Sequence, residues 1–191
     1  MRVVISGVQG TGKSTLGRFL ANHTTLEYIP EIEEVVIAEL GFKSGRELHK
    51  VKGDAGMIDW FFVSLDRAIK EHTQRESYIA DKCFLDYGAR WFANMWQGAT
   101  PGQHQRVRDS MRRMVEEKYY DKIIYLPLNF NLQVEDDGLR TTDLELRYKR
   151  SLLLKGLFCE YGVKLEPYSF NFSDSPDKVV SELGLEPFKR R

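Results

Sequence analysis

An α/β fold with a parallel sheet covered by helices on both faces is the architecture this sequence predicts. Three observations predict it. Short apolar runs such as Arg2-Val3-Val4-Ile5-Ser6 and Lys122-Ile123-Ile124-Tyr125-Leu126 alternate with segments whose apolar residues recur at helical spacing. The first run passes directly into Gly7-Val8-Gln9-Gly10-Thr11-Gly12-Lys13-Ser14, and Thr15 to Ala21 is helical in pattern. Finally, 191 residues with 42% hydrophobic and 29% charged side chains suit a single domain with a large core.

The elements follow in order. Leu26 to Ile29 is a second short strand closed by Pro30, and a helix from about Glu31 to Leu40 stops at Gly41. Phe42 to Gly53 is a basic, glycine-punctuated connection, after which Asp54 caps a helix with Met57, Ile58, Phe61, Phe62, Leu65 and Ile69 on one face. Ser77 to Asp81 is the third strand. An aromatic helix from Phe84 to Gln97 is broken at residues 98–102, and Pro101 starts the next helix, which reaches about Tyr119. After the fourth strand, residues 122–126, comes a polar loop containing Glu135, Asp136 and Asp137. Thr141 or Thr142 caps a helix to about Tyr161, ended by Gly162. Val163 to Glu166 is a fifth strand, and a last helix spans Pro176 to Leu183. The expectation is one domain, residues 1–191, with a five-stranded parallel sheet and a mobile lid at roughly 135–150. Right-handed crossovers gather the C-terminal strand ends on one edge.

Bulk properties set limits. Lys+Arg and Asp+Glu both number 28, so net charge gives no global case for nucleic acid or a membrane surface, although a local basic patch is still allowed. Cys83 and Cys159 match no metal-ligand spacing and suit reduced thiols in a cytoplasm, a host's cytoplasm if the chain is viral. The run Val3–Ile5 is too short for a signal peptide, and no stretch is long enough to span a membrane.

Strand, glycine loop and helix in succession are the setting of a P-loop. Gly7, Gly10 and Gly12 let backbone N–H groups close on a phosphate chain, joined by those of Thr11 and Thr15, while the following helix aims its positive end at the same anions. Lys13 reaches the β- and γ-phosphates and the Ser14 hydroxyl holds Mg²⁺, so the predicted cofactors are ATP and Mg²⁺. Asp81 ends a strand on the same edge, where a carboxylate can bind the metal or accept the proton of an attacking hydroxyl; an Asp there also suits a helix cap. Glu31, after the second strand, can serve as general base or be a surface acid. Arg140, beside Gly138, and Arg147, two turns along the helix, suit a lid that neutralises the transferred phosphoryl group. Arg150 is expected on a solvated face, with Glu145 and Lys149 paired at i,i+4.

With these residues in place the chain resembles the small P-loop kinase family that includes the nicotinamide riboside kinase domain of bacterial NAD-biosynthesis regulators, often labelled an AAA-type domain. The resemblance rests on Gly7 to Leu16, Ile29-Pro30-Glu31, Asp81-Lys82, and Glu135-Asp136-Asp137-Gly138-Leu139-Arg140-Thr141-Thr142 through Arg147. It implies a nucleoside- and nucleotide-kinase-like fold, acceptor specificity in the helices after the second and third strands, and passage of residues 171–175 near the adenine. Relatives commonly carry Asp-Arg where this chain has Asp81-Lys82, and lysine lacks the bidentate fork. Lys82, Tyr87, Arg90 and Trp91 are the candidate acceptor-binding residues, with Phe92 and Trp96 beside them; core packing competes for the aromatics.

The function expected is transfer of the γ-phosphate of ATP·Mg²⁺ to a hydroxyl or phosphate of a small nucleoside, nucleotide or related acceptor. One alternative is a kinase acting on a hydroxylated base within DNA in a viral base-modification pathway, suggested by the basic and aromatic content of residues 43–52 and 90–113. Another is a nucleotide-operated ATPase switch, but Lys82-Cys83-Phe84 offers no residue to position water.

Overall fold

The computed structural model describes residues 1–94, 98–129, 143–171 and 173–187. Strand β1 (Arg2–Ser6) lies between β3 (Tyr78–Asp81) and β4 (Lys122–Tyr125), and β2 (Glu27–Ile29) pairs with the outer edge of β3. All three pairings are parallel, with Ile5 opposite Asp81 and Ser6 opposite Tyr125. Both faces of the central strands are apolar, as a parallel sheet between two helical layers requires. Val4, Tyr78 and Ala80 face one core with Phe61, Leu65, Phe84, Trp91 and Phe158. Val3, Ile5 and Ile79 face the other with Leu16, Leu20, Val179 and Val180.

The sheet has four strands among the described residues, which corrects the expected five. Residues 163–166 run beside β4 without joining it; one bridge, Tyr125 to Pro167, and one hydrogen bond, Tyr168 N–H to the Tyr125 carbonyl at 2.8 Å, are made. Pro167 has no N–H to give the ladder, and Lys164 and Glu166 are solvent-exposed.

Helices α1 (Lys13–His23), α2 (Ile32–Glu39), α4 (Phe84–Asn94), α5 (Pro101–Glu116), α6 (Leu144–Glu160) and α7 (Pro176–Glu182) fall where periodicity puts them. α5 has the full N-terminal apparatus: Pro101 in the first turn and a capping box between Thr100 and Gln103. α6 is capped by the Asp143 carboxylate, which accepts from Leu146 N–H; Thr141 and Thr142, the expected caps, lie outside the described residues. The basic connection before Asp54 is already helical. α3 (Gly45–Thr73) starts on a Ser44 cap, and Gly53, at φ 63° and ψ −163°, kinks it into two helices. Only glycine takes that conformation cheaply, so one residue separates the basic first part from the apolar second.

The last turn of α3 carries a buried histidine. His72 is 1% exposed, packs on Phe84 at 5.4 Å between ring centroids, and meets the Tyr120 hydroxyl through Nδ1 at 2.8 Å. Burial pulls its pKa down to about 4. The unfolded chain therefore binds a proton that the folded chain refuses, and the associated stability is full above about pH 6.5. Acidification from pH 7 to 4 is expected to remove about 3 kcal/mol through this residue, since each tenfold rise in proton activity below the unfolded pKa favours the unfolded chain by about 1.4 kcal/mol. Urea unfolding of wild type and His72→Phe across that range measures it; equal acid sensitivity of the two would refute the assignment.

Candidate active site

The loop between β1 and α1 turns through Gly7, Gly10 and Gly12, all at positive φ. At Gly7 the constraint is steric as well, since a Cβ would sit 2.4 Å from the Leu126 carbonyl oxygen. Leu16 N–H closes on the Gly12 carbonyl at 2.9 Å, so α1 begins immediately behind the loop, its first-turn amides aimed into it. Thr11 donates its hydroxyl to the Val8 carbonyl at 2.9 Å, and Thr15 lies in the first turn of α1.

Lys13 is 4% exposed. Its ammonium donates to the Val8 carbonyl at 3.0 Å and stands 3.9 Å from Asp81 Oδ1. Asp81 sits opposite Ile5 at the end of β3, and this register carries its carboxylate to α1. Oδ2 accepts from Ser14 Oγ at 2.6 Å and from the Tyr28 hydroxyl at 3.4 Å, while the buried Oδ1 has no hydrogen-bond partner. Burial pushes the Asp81 carboxyl up; Lys13 opposes the shift and Glu31 adds to it. Asp81 does not cap α4.

An orphaned carboxylate oxygen beside a serine hydroxyl suits Mg²⁺, a hard cation that takes few protein oxygens and fills its shell with phosphates and water. Among the described residues no group of three or more His, Cys, Asp or Glu could hold a metal.

Tyr28 was not foreseen here, and its place depends on Gly17. A Cβ on Gly17 would lie 2.4 Å from Tyr28 Cε2. Gly17→Ala should therefore cost about 1–3 kcal/mol from overpacking, in spite of the better helix propensity of alanine. Thermal unfolding checks this, and a rise in Tm would show that Tyr28 moves aside without penalty.

Next to Asp81, the backbone of Lys82 is held at φ 80°. For a non-glycine residue this is strained, and it turns the side chain toward α2. There the ammonium donates to both Glu31 and Glu33, and Arg90 Nη1 donates to Glu33 Oε2 at 3.0 Å. The Arg90 guanidinium also lies 4.6 Å from the centroid of the Trp60 ring, whose Nε1–H reaches the Glu33 carbonyl. Lys82, Glu31 and Glu33 are 6%, 6% and 2% exposed, so Glu31 is not a surface acid. Burial alone would raise the Glu31 carboxyl, but Lys82 and Lys13 outweigh it and lower it to about 2. Burial works against the Lys82 ammonium, yet Glu31 and Glu33 lift it above the usual lysine range.

Two candidate acceptor aromatics are placed in the core. Trp91 is 0% exposed, packed on Phe61 and Phe62 at 4.9 and 5.2 Å between centroids, and its Nε1–H reaches His104 Nδ1. Tyr87 is 1% exposed beneath the Glu31–Glu33 network. Their buried rings offer no face to an acceptor. Trp96 lies outside the described residues, as do Arg140 and the rest of 130–142.

Arg147 is brought to the loop. It is 3% exposed, its Nε donates to the Gln9 carbonyl at 3.1 Å, and its buried Nη2 has no partner. Arg150, expected in solvent, is instead 9% exposed. It bonds Gln9 Oε1 at 3.0 Å and Asn94 Oδ1 at 3.0 and 2.9 Å. Asp86 was also missed: it accepts from Gly7 N–H at 3.0 Å and from Cys83 N–H at 2.9 Å. A small cleft of about 30 Å³ under the loop is lined by Gln9, Lys82, Asp86, Arg90 and Arg150 among others.

A family model described as an AAA domain matches residues 2–170. The chain belongs to the AAA-domain family. Three solved structures share its fold: a NadR protein in complex with NR (18% identity, TM-score 0.62), deoxyadenosine kinase from M. mycoides with bound dATP (17%, 0.63), and shikimate kinase from Aquifex aeolicus vf5 (17%, 0.54). They cover 99%, 96% and 95% of this chain, and 53%, 99% and 93% of their own lengths, so this AAA-domain chain spans about half of the NadR chain. No curated protein matches in sequence. Among the described residues no helix is long and apolar enough to cross a membrane.

Proposed function

We propose that the protein is an ATP·Mg²⁺-dependent phosphotransferase whose acceptor presents an uncharged hydroxyl, as a nucleoside or related small molecule does. The observation that carries the acceptor class is the Lys82–Glu31–Glu33–Arg90 network. A phosphorylated acceptor needs cations free to clamp its phosphate. Here Lys82 bonds both glutamates and Arg90 bonds Glu33 and covers Trp60. Besides the unpartnered Nε of Arg90, what this surface offers is buried carboxylate oxygen, Glu33 Oε1 being unpartnered, which accepts a hydrogen bond from a hydroxyl and repels a phosphate.

The roles follow from position. Glycine-loop amides and Lys13 hold the β- and γ-phosphates. Ser14 and the unpartnered Oδ1 of Asp81 would hold Mg²⁺, which when bound neutralises phosphate charge. Glu31 orients the acceptor hydroxyl and takes its hydrogen bond; its low pKa suits a loose transition state in which the proton leaves late. Arg147 turns its free Nη2 to charge that develops on the transferring group, and Arg140, outside the described residues, is assigned the same role from the sequence alone. Arg147→Ala should lower kcat by about 10²-fold or more while the affinity for ATP changes less, because the charge it meets peaks in the transition state. Single-turnover kinetics with separate ATP binding measurements check this.

The deciding experiment is an ATP consumption assay against matched nucleosides and nucleoside monophosphates. Turnover stimulated by nucleosides supports the proposal; stimulation by monophosphates alone overturns the acceptor class. Steady hydrolysis that no acceptor stimulates would favour the switch. A second acceptor, a hydroxylated base within DNA, is favoured by Arg108 and Arg112, exposed one turn apart on α5 with no ion pair among the described residues. It requires oligonucleotide binding that weakens steeply with salt.

A further inference from the structure

Helix α4 is fastened to the phosphate loop at both ends. In its first turn, Asp86 accepts from the amides of Gly7 and Cys83 at 3.0 and 2.9 Å. At its last residue, Asn94 Oδ1 accepts from Nε and Nη2 of Arg150 at 3.0 and 2.9 Å, while Arg150 Nη1 reaches Gln9 Oε1 at 3.0 Å. One turn earlier on α6, Arg147 holds the Gln9 carbonyl at 3.1 Å. Two guanidinium groups thus grip one loop residue, one by its main chain and one by its side chain. The second of them grips α4 as well.

Asp86 and Asn94 are about 12 Å apart along the helix axis at the α-helical rise per residue. Between them α4 carries Arg90, which closes the acceptor network onto Glu33. A guanidinium is a planar fork, so holding two amide oxygens at once fixes their separation and mutual angle. Arg150 is 9% exposed, and breaking its bonds without replacement leaves a buried cation short of acceptors.

We propose that Arg150 is a positioning residue that, through Gln9 and Asn94, makes the phosphate loop and helix α4 respond as one body, so that nucleotide binding orders the acceptor side of the site. The inference rests on the P-loop phosphotransferase reading for its two ligands. It assigns Gln9, in a variable position of the loop, the task of reporting loop closure. It assigns Asn94 the task of receiving that report.

The exposed member of the relay, Asn94, gives the cleanest test. AMP-PNP·Mg²⁺ is added to wild type, Asn94→Ala and Asn94→Asp, with amide hydrogen exchange followed over residues 84–94 and affinity measured by calorimetry. In wild type, exchange across α4 should slow by about tenfold or more on binding, as expected when a local opening is tied to a ligated element. In Asn94→Ala the slowing at residues 90–94 should fall below about threefold, with residues near Asp86 still protected. Asn94→Asp keeps an acceptor oxygen for the guanidinium and should behave as wild type. Asn94→Leu, added to the set because it keeps the bulk without an acceptor, should behave as Asn94→Ala, which a role in packing alone would not predict. Equal slowing in wild type and Asn94→Ala, or an Asn94→Asp that behaves as Asn94→Ala, would overturn the relay. Failure of every acceptor in the turnover assay would overturn the proposed function while leaving this protection pattern standing. AMP-PNP that does not bind would overturn both.

Discussion

Lys13→Ala is expected to abolish phosphoryl transfer and leave a folded protein. Its ammonium stands between the Val8 carbonyl and Asp81 Oδ1, at 3.0 and 3.9 Å, inside the turn that the three glycines make. A loss of about 10³-fold or more in kcat/KM corresponds to roughly 4 kcal/mol of transition-state stabilisation, a reasonable share for a lysine in the role proposed for Lys13. Stability should move little, because the side chain contributes one buried hydrogen bond and a long ion contact, about 1–2 kcal/mol together. Lys13→Arg should not rescue, since a planar fork does not fit a niche built for a compact point charge. Transfer within tenfold of wild type in Lys13→Ala, with an unchanged melting profile, would remove the loop from the chemistry.

The parts of the site legible in the sequence are those made by neighbours in the chain. A phosphate cradle is built from consecutive amides, so Gly7 to Ser14 declare it without help from the fold. Asp81 is legible because a strand's last residue has a place fixed by sheet topology. Asp86 is not: its partner Gly7 is 79 residues away, and nothing local distinguishes it from a helix-surface acid. Glu33 fails for the same reason, and Lys82 was legible as a candidate for the acceptor but not as the partner of Glu31 and Glu33, since pairing across two loops has no sequence period. α6 misleads outright. Leu144, Tyr148 and Leu152 are 44%, 48% and 51% exposed while Arg147 and Arg150 are buried, so its first half packs a polar side inward and only the second half buries apolar residues, Leu154 and Phe158. A hydrophobic-face argument assumes that the interior is apolar, and beside the glycine loop, where Arg147 and Arg150 meet Gln9, it is not. The fifth strand was lost to a smaller cause, the missing N–H of Pro167.

Lys82→Met should be the most destabilising single change at the site. It removes the cation shared by Glu31 and Glu33, both buried, and leaves Arg90 to serve Glu33 alone. Breaking a buried ion pair on one side costs about 3–5 kcal/mol, which in a domain of this size lowers Tm by on the order of 10 °C. The pH dependence supplies the check on mechanism. In wild type the Glu31 carboxyl is lowered to about 2, below its unfolded value of 4.5. The unfolded chain therefore binds the proton first on acidification. Stability from this group is complete above about pH 4.5 and is lost as pH falls towards 2. In Lys82→Met the sign reverses: burial is no longer outweighed by Lys82, the Glu31 pKa rises, and the folded form takes up the proton first. The penalty of the substitution should thus be largest at neutral pH and shrink on acidification through the carboxylate range. Glu31→Gln in the Lys82→Met background should recover part of the loss at pH 7.5, since it deletes the uncompensated charge and keeps the shape. Urea unfolding at pH 7.5 and 5.0 measures all three variants. A penalty that does not change with pH, or a double variant no more stable than Lys82→Met, would mean that Lys82 acts through its strained backbone and not through its charge.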